Sequence, residues 1–192
     1  MKARLAVLAT MSVAVVINAC GDPTSLKANL LNSVDTLFVY ALTGTPPSYP
    51  SGVSIVANQA VRVDGFANFD VALDIDANGR PVVYPVKLVV ASAGTARPVG
   101  LQKVTTSFDA LLEAPSAGYN TDASVVLAPG ETVLIQSPHN GSGDICQFAV
   151  SPYLYAKITV DSVKLDSRIL YLRMGIDPNC GFRSFADGVP TS

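Results

Sequence analysis

Short runs rich in Val, Ile, Tyr and Phe recur along this chain, each broken within a few residues by Gly, Pro, Asn or Asp. That rhythm leaves little room for long helices and points to many short strands. The segment from Phe69 shows it most plainly. Phe69, Val71, Leu73 and Ile75 alternate with Asp70, Ala72, Asp74 and Asp76. Side chains of a strand alternate between its faces, so period two puts the apolar set on one face and the acids on the other. Asp76-Ala77-Asn78-Gly79-Arg80 then reads as a hairpin turn, since Asn-Gly tolerates positive φ. Val82, Tyr84, Val86, Leu88 and Val90 share a face of the return strand. A second hairpin sets Leu154, Ala156, Ile158 and Val160 against Leu170, Leu172, Met174 and Ile176, with Asp166-Ser167 in the turn.

The same reading predicts strands at 35–42, 53–57, 60–64, 67–76, 81–91, 97–105, 122–128, 131–137, 146–150, 153–163 and 168–177. Residues 43–52, with Gly44, Pro46, Pro47, Pro50 and Gly52, form a loop. One short helix is predicted near Phe108–Glu113, with Ser107 as its N-cap and Pro115 closing it. The fold class is therefore all-β. An antiparallel β-sandwich of immunoglobulin-like kind is expected, with a β-barrel as the alternative.

The N-terminus carries a different signal. Lys2 and Arg4 precede a nearly apolar run from Leu5 to Ala19, and no acid occurs before Asp22. The run is about 15 residues, short of the ~20 that span a bilayer as a helix. A charged start, a short apolar stretch and small residues at its end are the layout of a secretory signal peptide. Ile17-Asn18-Ala19-Cys20 resembles the lipobox of bacterial lipoproteins: an aliphatic residue, a tolerant position, a small residue, then Cys. The resemblance implies cleavage before Cys20, diacylation (palmitate-type chains) of its thiol and acylation of the new amine. Two or three acyl chains hold a protein at a membrane where one does not. It further implies a bacterial cell-envelope location, with Gly21 favouring the outer membrane by analogy with enteric sorting. The expected organisation is a signal peptide at 1–19, a lipidated N-terminus and tether at 20–34, and a single domain at 35–192.

If Cys20 belongs to the anchor, Cys146 and Cys180 remain. In an oxidising envelope such a pair is expected to bridge. Free thiols and a metal site are the alternatives; zinc wants about four ligands, and the chain's single His is His139. Closing a loop of about 35 residues would contribute roughly 3–4 kcal/mol.

Candidate chemistry is sparse. The leader holds two of the 13 Lys and Arg and none of the 15 Asp and Glu, so the rest of the chain is mildly acidic. No nucleic-acid partner is expected, because that would need a basic stripe. Asp74-Ile75-Asp76-Ala77-Asn78-Gly79 matches the first half of a calcium loop, which makes Asp74, Asp76 and Asn78 a weak metal candidate. Pro85 stands where the loop's final acid should be, and strands flank it instead of helices. No metal and no cofactor is expected. His139, in Ser137-Pro138-His139-Asn140-Gly141-Ser142-Gly143-Asp144, reads as an exposed loop histidine without the rigid neighbours of a hydrolytic triad. Asp70, Asp74 and Asp76 share a strand face, on which residues two apart lie about 6–7 Å from each other, and they read as a solvated face in preference to a glycosidase pair.

The outward face of the last hairpin is the best residue-level candidate for binding. Tyr153, Tyr155 and Lys157 should point the same way as Tyr171 and Arg173, and Tyr and Arg are favoured at recognition surfaces. The expectation is a non-catalytic binding or accessory module. Its partners would be the membrane, through the lipid, and another envelope protein or an extracellular ligand. A carboxylate-dependent hydrolase and a calcium-stabilised β module are the alternatives.

Overall fold

The structure, a computed structural model, describes residues 28–63, 68–90 and 96–190. The leader, Cys20 and most of the expected tether lie outside the described residues. The described chain contains ten strands: β1 (Ser33–Tyr40), β2 (Pro50–Ser54), β3 (Gln59–Arg62), β4 (Val71–Ile75), β5 (Pro81–Pro85), β6 (Gly100–Val104), β7 (Val125–Val126), β8 (Thr132–Pro138), β9 (Tyr153–Lys164) and β10 (Ile169–Asp177). They form two five-stranded antiparallel sheets. The first has the order β1-β10-β9-β8-β6 and the second β3-β2-β4-β5-β7. The architecture is a β-sandwich and not a closed barrel. Among the described residues, no helix is long and apolar enough to cross a membrane.

Both hairpins form. The β9–β10 register sets Val160 opposite Leu172, Ile158 opposite Met174 and Ala156 opposite Ile176, with an irregularity between Tyr171 and Leu172. In the β4–β5 turn Asp76 and Arg80 close the hairpin through Asp76 N–H to the Arg80 carbonyl, and Gly79 takes the positive φ of 78°. Residues from both sheets fill the space between them. Val53, Leu73 and Val83 come from the second sheet, and Leu101, Ile135, Ile158 and Leu172 from the first. Burying a side chain of that size contributes about 1.5–3 kcal/mol.

Two predicted elements do not form. Residues 108–113 make a single turn, closed by Leu111 N–H to the Ser107 carbonyl, and then extend. The reason is competition for acceptors. The Phe108 and Leu111 carbonyls, which a helix would use, accept instead from Lys157 Nζ. The only helical segment among the described residues is the 3-10 turn Val86–Leu88. The predicted strand at 146–150 is instead a series of tight turns, with Gln147 N–H bonded to the Asp144 carbonyl and Ala149 N–H to that of Cys146. Cys146 is drawn inward there by its bridge to Cys180, with a Cα–Cα separation of 5.6 Å.

The fold also begins earlier than residue 35. The side-chain oxygen of Asn179 accepts the N–H groups of Asn29 and Leu30, and its amide donates to the Leu30 carbonyl. Asn32 donates from its side chain to the carbonyls of Ser184 and Ala186. The last residues of the expected tether are thus fastened to the segment after β10, because two asparagines satisfy backbone groups that no strand partner reaches.

Candidate functional site

Tyr153, Tyr155 and Lys157 do share the outer face of β9, but that face is not open. Tyr155 and Lys157 are only 4% and 3% exposed. Segments 105–120 and 182–187 lie over them, and Leu111, Ala114, Leu134, Tyr155 and Phe185 form a second, smaller core there. Tyr155 accepts a hydrogen bond from Gln136 at 2.9 Å. The sequence pattern marks which way these side chains point, but not that another part of the chain covers them.

Lys157 holds this cover in place. Its Nζ donates to the Phe108 carbonyl at 2.6 Å and to the Leu111 carbonyl at 2.8 Å. It also sits 4.3 Å from the centre of the Phe108 ring and 5.2 Å from that of Phe185. Burial pushes the ammonium below the ordinary lysine value; Arg173 adds to the push, while Asp109 and Asp187 oppose it. Gly175, opposite Lys157 on β10, makes the arrangement possible. A Cβ there would come within 2.8 Å of Lys157 Cε and 3.3 Å of Phe108 Cζ. A shallow recess of ≈ 450 Å³ opens beside this lysine, with Phe108, Leu112 and Phe185 on its walls and Asp109 and Asp187 at its edge.

Tyr171 and Arg173 remain partly exposed on β10. Arg173 is neutralised by Asp161 and Asp109, at 3.1 and 3.0 Å. Tyr171 pairs in register with Phe38 of the edge strand β1, their ring centres 6.4 Å apart. Phe38 also meets Tyr40, and Tyr40 meets Tyr49 at 4.4 Å. An aromatic strip therefore runs along the β1 edge. The alternation of Val34, Thr36, Phe38 and Tyr40 marks one face of β1; the sequence did not reveal that β1 pairs with β10.

The acids of β4 are structural anchors and not a solvated face. Asp70 is fully buried. One of its oxygens accepts from Ser137 Oγ at 2.5 Å and from Arg97 at 3.0 Å, and the other accepts the Ile55 N–H at 2.7 Å. Burial alone would raise its pKa. His139, the Arg97 charge, Ser137 and the Ile55 amide together outweigh burial and hold the carboxyl below its ordinary value. His139 itself is buried, contrary to the expected exposed loop residue, because its N–H and C=O continue the pairing beyond β8 to Pro152 and Cys146.

Ser137, His139 and Asp70 thus converge, and the order of their hydrogen bonds decides what they do. Ser137 donates its proton to Asp70, so its oxygen accepts from His139 Nε2 at 3.1 Å. This tautomer is inferred from the network. A nucleophilic serine needs the reverse, a hydroxyl donating to a histidine base. Here the hydroxyl bridges a histidine and a carboxylate in the interior.

Asp74 and Asp76 are likewise engaged. Asp74 accepts from Thr43 and from Arg168 at 3.1 Å. Asp76 accepts from the Asn78 and Arg80 amides and from the Arg80 side chain. Two guanidinium groups thus stand against the oxygens that a calcium ion would need. Among the described residues, no group of three or more His, Cys, Asp or Glu side chains is placed to hold a metal ion.

No protein-family model, curated protein or solved structure matches this chain.

Proposed function

We propose that this chain is a lipid-anchored protein of the bacterial cell envelope, with its sandwich acting as a non-catalytic binding or accessory module. The observation that carries this reading is the sequence Ile17-Asn18-Ala19-Cys20 at the end of a short apolar leader. The Cys146–Cys180 bridge supports it, since such bridges persist in oxidising compartments. The anchor is tested by growing the bacterium with a clickable palmitate analogue. The wild type should carry the label and fractionate with the outer membrane, and Cys20→Ser should do neither. Label retained in Cys20→Ser would overturn the anchor.

The binding role is favoured by the aromatic strip of Phe38, Tyr40, Tyr49 and Tyr171 along the β1 edge. It stands where a partner protein or extracellular ligand can reach it. The hydrolase and calcium alternatives are disfavoured because Asp70, Asp74 and Asp76 already spend their oxygens on Arg97, Arg168 and Arg80. Within the β-sandwich class we favour an immunoglobulin-like arrangement, since the chain passes from the first sheet to the second after β1, returns at β6, crosses once more for β7 and comes back for β8 to β10. Its bridge differs from the inter-sheet disulfide of antibody domains, because it joins two segments that follow strands of the same sheet.

A further inference from the structure

The two ends of the sandwich differ in kind. At the near end, where the described chain begins, lie the start of β1 and the ends of β8 and β10. The β2–β3 turn is at this end too, since Asn58 bonds to Ser33 and Asp35. So is the turn after β5, where Val86 N–H bonds to the Asp70 carbonyl. Exposed apolar side chains gather on these loops: Leu31, Val56, Leu88, Ile145, Phe148 and Val150. Phe148 is 93% and Val150 77% exposed, on a loop stapled by the Cys146–Cys180 bridge. At the far end, the exposed large apolar side chains among the described residues are fewer: Phe38 and Tyr49, which belong to the aromatic strip, and Leu165. Exposing so much apolar surface on one side of a sandwich marks a site of contact.

We infer that the near end rests on the lipid bilayer, with Phe148 and Val150 dipping into its interfacial layer. The inference builds on the anchor proposed at Cys20. Seven residues, or eight chain steps, separate Cys20 from Ala28, where the described chain begins. Fully extended, they span at most about 3.3–3.6 Å each, so the near end lies within about 3 nm of the acylated cysteine. The surface held closest to the membrane is thus the one that carries the exposed apolar side chains. The loop from His139 to Pro152 contains no Lys or Arg. This loop thus offers no attraction to anionic headgroups, and Lys87 of the neighbouring turn is paired with Asp122, so the occupant is the apolar and glycerol region of any bilayer, a zwitterionic one included.

The chain has no Trp, so a single introduced indole reports without background. Full-length, acylated F148W and, as a far-end control, L165W are reconstituted into phosphatidylcholine vesicles with or without lipids brominated along the acyl chain. Interfacial elements bury apolar side chains ~5–10 Å deep, so bromolipid should lower F148W emission about twofold, with a blue shift, and leave L165W unchanged. The palmitate label is read on the same samples. Label present with F148W unquenched overturns this inference alone, and leaves the apolar loop to a protein partner. Absence of the label overturns the anchor and this inference with it. Equal quenching of both variants also overturns it, because the domain would then lie on the membrane without a preferred end.

Discussion

Ser137 and Asp70 meet across the two sheets: the hydroxyl at the end of β8 donates at 2.5 Å to a carboxylate just before β4. Four residues further along, Asp74 takes Arg168 from the β9–β10 turn at 3.1 Å. One central strand therefore grips the opposite sheet at both of its ends. Asp70→Asn keeps the shape but removes the charge that faces Arg97. It is expected to cost about 2–4 kcal/mol of stability, because it weakens a buried, charge-assisted network. Urea denaturation at neutral pH measures it, and a change below ~0.5 kcal/mol would show that the clamp carries little.

The same network sets the acid response. The folded Asp70 titrates below its ordinary value, so the folded state releases this proton more readily than the unfolded chain does. Its contribution is fully present above about pH 4, the unfolded value, and is lost as the pH falls through the lower folded value. The stability difference between wild type and Asp70→Asn should therefore shrink as urea titrations move from pH 5 towards pH 2. A difference that stays constant over this range contradicts the assignment.

Lys157→Met retains most of the side-chain volume and removes the donor to two carbonyls. Leaving buried acceptors unpaired costs about 1–3 kcal/mol each. Segment 105–120 should loosen first. The amides of Leu111, Ala114 and Phe185, bonded to Ser107, Arg183 and Leu112, should exchange faster with deuterium while β8 and β9 keep their protection. Because burial depresses the lysine, the unfolded chain holds this proton more tightly, and raising the pH towards 10 should stabilise the wild type relative to Lys157→Met.

Replacing both Cys146 and Cys180 with Ala removes a bridge between residues 34 apart in sequence. The expected loss is roughly 3–4 kcal/mol, read as a lower melting temperature. Asn179 sits next to Cys180, so the hydrogen bonds that fasten Asn29 and Leu30 should weaken in the same variant. Unaltered exchange at those two amides would separate the bridge from the docking of the N-terminal segment.

Alternation and turn residues made the strands legible, and the two hairpins formed with the expected partners. Local pattern does not encode which surfaces one part of a chain lays over another. Lys157 looked like an outward residue because it is one by strand parity; its burial depends on Phe108 and Leu111, nearly fifty residues earlier. Asp70 and His139 were misplaced for the same reason. A polar residue on a strand is exposed by default, and only partners from distant parts of the chain, Ser137 on β8 and Arg97 ahead of β6, reverse that for Asp70. The aromatic strip stayed hidden because β1 and β10 are more than a hundred residues apart in sequence.

The pairing of β1 with β10 over eight residues, from Ser33 opposite Ile176 to Tyr40 opposite Ile169, has a mechanical consequence. A force pulling on the N-terminus along the axis of β1 does not peel the strand off one hydrogen bond at a time. It loads the ladder in shear, so that its bonds share the tension, after the Asn179 staple to Asn29 and Leu30 has given way. A pull that reaches the domain through its N-terminal segment is thus met by the ladder's strongest geometry.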